Sequence, residues 1–146
     1  METFLRPSTQ DINRLLADIA ANRRNIKGLT AAKNQLLQGL QTSLQHKAQC
    51  AEKLSPSQIV QYNDFSRFLE ARSKNLENGH AALKEKMRQS RIYHEIAQPH
   101  TNLAVVQAGL ADIVSIQADI IGTLENIVAA GHKTSAAVNS LPTKAR

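Results

Sequence analysis

Residues 101–131 read TNLAVVQAGLADIVSIQADIIGTLENIVAAG, and this stretch decides the fold. Val106, Ile113, Ile120 and Ile127 form one column of a heptad, and Leu103, Leu110, Gln117 and Leu124 form another. Steps of three and four residues put both columns on one stripe of an α-helix. Beside the stripe the residues are small: Ala104, Ala108, Ala111, Ser115, Ala118, Gly122 and Ala129. Val114, Ile116, Ile121 and Val128 widen the apolar arc, and Asp112, Asp119 and Asn126, helped by Thr123 and Glu125, leave one polar edge. No Lys or Arg falls in the stretch. A helix this apolar calls for cover on most sides, so the rest of the chain is expected to pack around it.

On the carboxyl side, Gly131 followed by His132 and Lys133 reads as a helix end. The predicted third helix therefore covers about 102–130, capped by Thr101 or Asn102. Ser135 to Asn139 suits a short further turn of helix, and a loose basic tail is expected over 141–146. On the amino side, Pro99 stops the preceding helix and biases Gln98 away from helical geometry. That second helix is predicted over about 56–97. Its start is sharply marked: Ser55-Pro56-Ser57-Gln58 offers a cap residue, a proline at the first helical position, and Gln58 where a capping box needs it. Asn78-Gly79 is a place where it could divide. The first helix is predicted over about 9–53, with Ser8 as its cap and Met1 to Pro7 as an irregular leader. Gly28 and Gly39 each weaken it by about 1 kcal/mol relative to Ala, and Gly28 is the natural place for a kink.

Three long helices joined by short links make an all-α antiparallel bundle, read here as one domain over 1–146. With the third helix ending near 130, part of the hairpin formed by the first two is expected to project bare. Composition agrees with a bundle: of 146 residues 42% are hydrophobic but only 3% aromatic, so the core must be aliphatic. Cys50 is the only cysteine, which excludes an internal disulfide or a multi-cysteine zinc site and fits a reducing compartment. Met1 to Leu5 lacks the basic-then-apolar pattern of a secretory signal. The apolar stretch is long enough to span a bilayer, but Asp112, Asp119 and Glu125 inside one span oppose that reading. A cytoplasmic location is expected.

Chemistry is sparse. There is no phosphate-cradling glycine loop, nucleophile elbow or zincin motif. His46, His80, His94, His100 and His132 are scattered, and His94 and His100 are separated by Pro99, so no ligand geometry follows. Asp112 and Asp119 lie two turns apart, about 10 Å, too far to share a proton or a single ion. Cys50, with Lys47 and Lys53 nearby, lacks a base or a resolving thiol and reads as a half-buried small side chain. No cofactor, metal or small-molecule substrate is inferred, and no enzyme activity is expected.

Two binding classes remain. The first is a protein-interaction module, an adaptor, chaperone or assembly subunit, whose candidate interface is Val114, Gln117, Ile120, Ile121, Leu124, Ile127 and Val128. Gln117, polar within an apolar column, is the kind of residue that sets register or oligomer state. β-branched residues in one column with Leu in the other suit a parallel homodimer as well as a monomeric bundle. In size and helical layout the chain is similar to small bacterial secretion chaperones and to adaptor subunits of larger assemblies. The second class follows from charge: 18 basic against 12 acidic residues give +6, and the excess lies before residue 99. Arg23, Arg24 and Lys27 with Lys84, Arg88 and Arg91 could contact the phosphates of nucleic acid or an anionic membrane. Intermixed acids and the scarcity of stacking aromatics favour the first class.

Overall fold

The computed structural model describes residues 9–96 and 103–140, with side chains over 10–89 and 104–140. It is an all-α bundle of three helices: α1, Thr9–Gln49; α2, Pro56–Ile96; and α3, Leu103–Asn139. The expected caps at Ser8 and at Thr101 or Asn102, the stop at Pro99, the leader and the tail after Leu141 lie outside the described residues.

Each helix buries one stripe in steps of three and four. On α3 the buried positions are Leu110, Ile113, Gln117, Ile120, Leu124, Ile127, Gly131, Thr134 and Val138. On α2 the corresponding stripe runs Gln58, Tyr62, Phe65, Leu69, Arg72, Leu76, Gly79, Leu83, Lys86, all buried or half-buried. On α1 it runs from Ile12 through Ile19, Ile26, Leu36 and Leu40 to Lys47. Such a spacing is what a helix packed along its neighbours buries, and α1 and α2 both pack against α3.

The contacts group into two compact units, and every helix contributes to both. The first unit takes residues 1–27 and 76–122. There Gly79 packs on Ile120 and Lys86 pairs with Asp112 at 3.2 Å, so α2 runs antiparallel to α3. The second unit takes residues 28–75 and 123–146. Its core is Leu40, Phe65 and Val138, ringed by Leu37, Leu44, Leu54, Tyr62, Phe68, Leu69 and Ala130. Phe65 lies near Gly131 and Gln58 reaches Val138, again the antiparallel order.

The start of α2 is the capping box read from the sequence. The Ser55 N–H donates to Gln58 Oε1 at 2.7 Å and the Gln58 N–H donates to Ser55 Oγ at 3.2 Å. α1 stops at Gln49 rather than 53, through a Schellman turn. The Glu52 N–H returns to the Lys47 carbonyl at 2.8 Å and the Ala51 N–H to the Ala48 carbonyl at 3.1 Å. Ala51 takes the left-handed conformation this needs, φ 56°, without being glycine. That conformation costs an L-residue roughly 1–2 kcal/mol, part of which glycine gives back through its freer unfolded chain. Ala51→Gly is therefore expected to raise stability by about 0.5–1 kcal/mol, read as a higher urea midpoint at unchanged slope.

The end of α3 departs most from expectation. Gly131 does not terminate the helix, which continues for two more turns through the predicted short segment Ser135–Asn139. Gly131 is buried, and a Cβ there would run into the Leu36 side chain and come within 3.3 Å of Phe65. Its glycine is for close approach of α1 and α2, not for a C-cap. At 37 residues against 41 for each of the others, α3 is nearly their equal in length, so the premise for a long bare hairpin falls away. Gly28 and Gly79 break neither α1 nor α2.

Candidate functional site

The seven candidate interface residues on α3 divide into two sets. Gln117, Ile120, Leu124 and Ile127 sit in the seam, 2%, 2%, 1% and 0% exposed, and are used in the chain's own packing. Within the single chain they lie in the core: the stripe that reads as a contact surface is the one α1 and α2 cover. Val114, Ile121 and Val128 flank the seam and are half-buried. The face opposite the seam is different. Ala104, Ala108, Ala111, Ser115 and Ala118 are exposed there, and Gly122 is half-buried. A bundle helix facing water ordinarily carries charge on that side. Here it is a smooth strip, with Asp112 and Asp119 along one margin. Among the described residues, the cover expected on most sides of α3 is thus present on the seam side. Its most apolar 18-residue window has a mean hydropathy of 1.5, yet only 22% of that window is buried. By length and composition α3 passes as a membrane span, as the cores of soluble bundles also do.

Gln117 is held by one hydrogen bond, from its Nε2 to the Ile19 carbonyl of α1 at 3.2 Å. Its Oε1 is buried with no partner among the described residues. Turning the amide over would set an oxygen against that carbonyl, so the orientation is fixed by the network. An unsatisfied buried acceptor costs about 1–3 kcal/mol, more than one strained bond to an already engaged carbonyl restores. Gln117→Met, close in volume, is expected to raise stability by about 1 kcal/mol. A lower urea midpoint for that variant would show that the amide is fully satisfied in solution.

Gln58 has a role the sequence motif does not contain. Besides closing the box on α2, its Nε2 donates to the carbonyls of Ala137 at 2.9 Å, Val138 at 3.3 Å and Ser140 at 3.2 Å. One buried amide therefore caps the start of α2 and the end of α3. The only sequence signal was its place in the box.

The basic candidates belong to the first unit. Arg23, Arg24, Lys27 and Lys84 are exposed, and none is in an ion pair among the described residues. Arg88 is tied to Glu85 at 2.5 Å, and Lys86 to Asp112. The side chain of Arg91 lies outside the described residues. The hydrogen bond from Arg88 holds the Glu85 carboxyl below its ordinary range and raises the guanidinium correspondingly. What the pair adds is present above the unfolded carboxylate pKa and fades as pH falls through the lowered one. Being fully exposed, it adds little.

Among the described residues no three His, Cys, Asp or Glu side chains are placed to hold a metal. His94 and His100 lie outside the described side chains. Cys50 is exposed, not half-buried, because the Schellman turn swings it off the helix; its sulfur lies 3.8 Å from His46 Nε2. Lys47 pairs with Glu52 at 3.3 Å rather than with the thiol. Compared with protein-family models, curated proteins and solved structures, the chain matches none.

Proposed function

We propose that the chain is a non-enzymatic helical interaction protein, an adaptor, chaperone or assembly subunit that binds another protein or a second copy of itself through α3. One observation carries this reading: the most apolar helix has little of its apolar window buried by its own chain. Apolar surface left in water is a driving force for association. The contact region is the outer strip Ala108, Ala111, Ser115 and Ala118 with the flanking Val114, Ile121 and Val128, in place of the seam residues. Small side chains there let a partner helix approach closely.

Ala111→Glu and Ala118→Glu test it. Both positions are exposed. Stability should move by no more than about 0.5 kcal/mol. Solution mass should fall to that of one chain if the partner is a second copy, or a purified partner should be lost. Association unchanged in the double variant would refute α3 as the contact helix. The second reading, a basic protein binding nucleic acid or an anionic membrane surface, rests on four exposed cations, Arg23, Arg24, Lys27 and Lys84, that have no ion pair among the described residues. It requires retention on heparin that salt reverses and that replacing Arg23 and Arg24 by Ala abolishes.

A further inference from the structure

We propose that the first part of α1, Thr9–Lys27, is a detachable strap over the seam of α3, opening as a unit while the rest of the bundle stays closed. Four observations converge on it. No described side chain from Gln10 to Lys27 is buried, although the α3 residues Leu110, Ile113, Gln117 and Ile120 are. The segment thus covers a seam without being enclosed itself, and Leu16 stands 49% exposed. At Gln117, the strap accepts one hydrogen bond through Ile19 and leaves the other end of that amide without a partner among the described residues. Opening would hydrate Oε1, which partly offsets the loss of apolar contact. Arg23, Arg24 and Lys27 crowd like charge at three- and four-residue spacing, which weakens a helix. Finally, Gly28 stands where the first unit's share of α1 ends, and a Cβ there would meet nothing within 4 Å. Packing does not require glycine at that point, unlike Gly131, and the glycine weakens the helix there.

Release of the strap would bare an apolar seam on α3 suited to an amphipathic helix. It deepens the proposed function by adding a way to regulate α3, and part of its interest rests on that reading. The test does not: it is made on the isolated chain, so failed partner capture leaves it standing, and its own failure leaves the outer strip of α3 untouched.

The experiment is native-state hydrogen exchange, read by mass spectrometry on the full chain at low denaturant. Amides of residues 13–27 should share one opening equilibrium, with protection stepping up at least tenfold beyond Gly28. Gly28→Ala should slow exchange in that segment about fivefold. Gln117→Met should slow it by a similar factor of about five. Protection rising smoothly from the chain end would mean simple fraying. Protection uniform along α1, or variants that leave exchange over 13–27 unchanged, would mean that no separate unit exists. Either result overturns the proposal.

Discussion

Ile127→Asp should unfold the protein. Ile127 is 0% exposed, between Leu124 and Gly131 on the seam. Two losses add. The buried isobutyl-sized side chain contributes about 1.5–3 kcal/mol by its removal from water. The carboxyl must then be buried neutral or forced out with the helix, at several kcal/mol more. The total, about 5 kcal/mol or above, is comparable with the whole stability of many domains. The expected result is loss of the helical circular-dichroism signal, or a collapsed urea midpoint, under conditions where Ala129→Asp, two residues along and exposed, behaves like the parent. A folded Ile127→Asp chain that had lost only its association would return the seam to the role of an interface.

Gln58→Ala is the second large effect, expected to cost about 2–3 kcal/mol although no apolar core is removed. Loss of the box frees the Ser55 N–H, at about 1 kcal/mol. The remainder comes from the carbonyls of Val138 and Ser140, which lose this donor, whereas that of Ala137 keeps the Ser140 hydroxyl at 2.7 Å. Gln58→Glu separates the two roles. A carboxylate still accepts from Ser55 but faces three carbonyl oxygens, so this variant should be no more stable than Gln58→Ala at neutral pH. Its folded-state pKa is raised by those oxygens. The penalty therefore shrinks as pH falls through that value, when the protonated acid can donate. Parallel urea titrations of the two variants at pH 7 and pH 5 check the sign. Equal stability of Gln58→Ala and the parent would mean that the end of α3 needs no cap from α2.

Much of this architecture is legible from residue types alone. The heptad over 103–127, the proline at the head of α2 and the capping box are local patterns, and local patterns set where helices lie and which stripe they bury. The errors share one cause. Gly131 beside His132 and Lys133 has the composition of a helix end, and only the presence of Leu36 and Phe65 from distant parts of the chain reveals a glycine chosen for closeness. Ala51 ends α1 in a conformation that composition assigns to glycine. The second task of Gln58 spans some eighty residues of sequence. The division of the candidate interface between core and flank has a related reason. Hydrophobicity names the residues that prefer to be covered, and it does not say whether the cover comes from the same chain. The seam residues Ile120, Leu124 and Ile127 are covered from within; the small residues on the opposite face, read at first as mere flank, are the ones left in water.

The burial of the α3 seam by its own chain can be measured by counting thiols. Cys50 is exposed and serves as an internal standard. In Ile127→Cys the native protein should react rapidly with a water-soluble thiol reagent at one site per chain, and at two only after denaturation. Two thiols reacting at once in the folded protein would contradict the account at its centre.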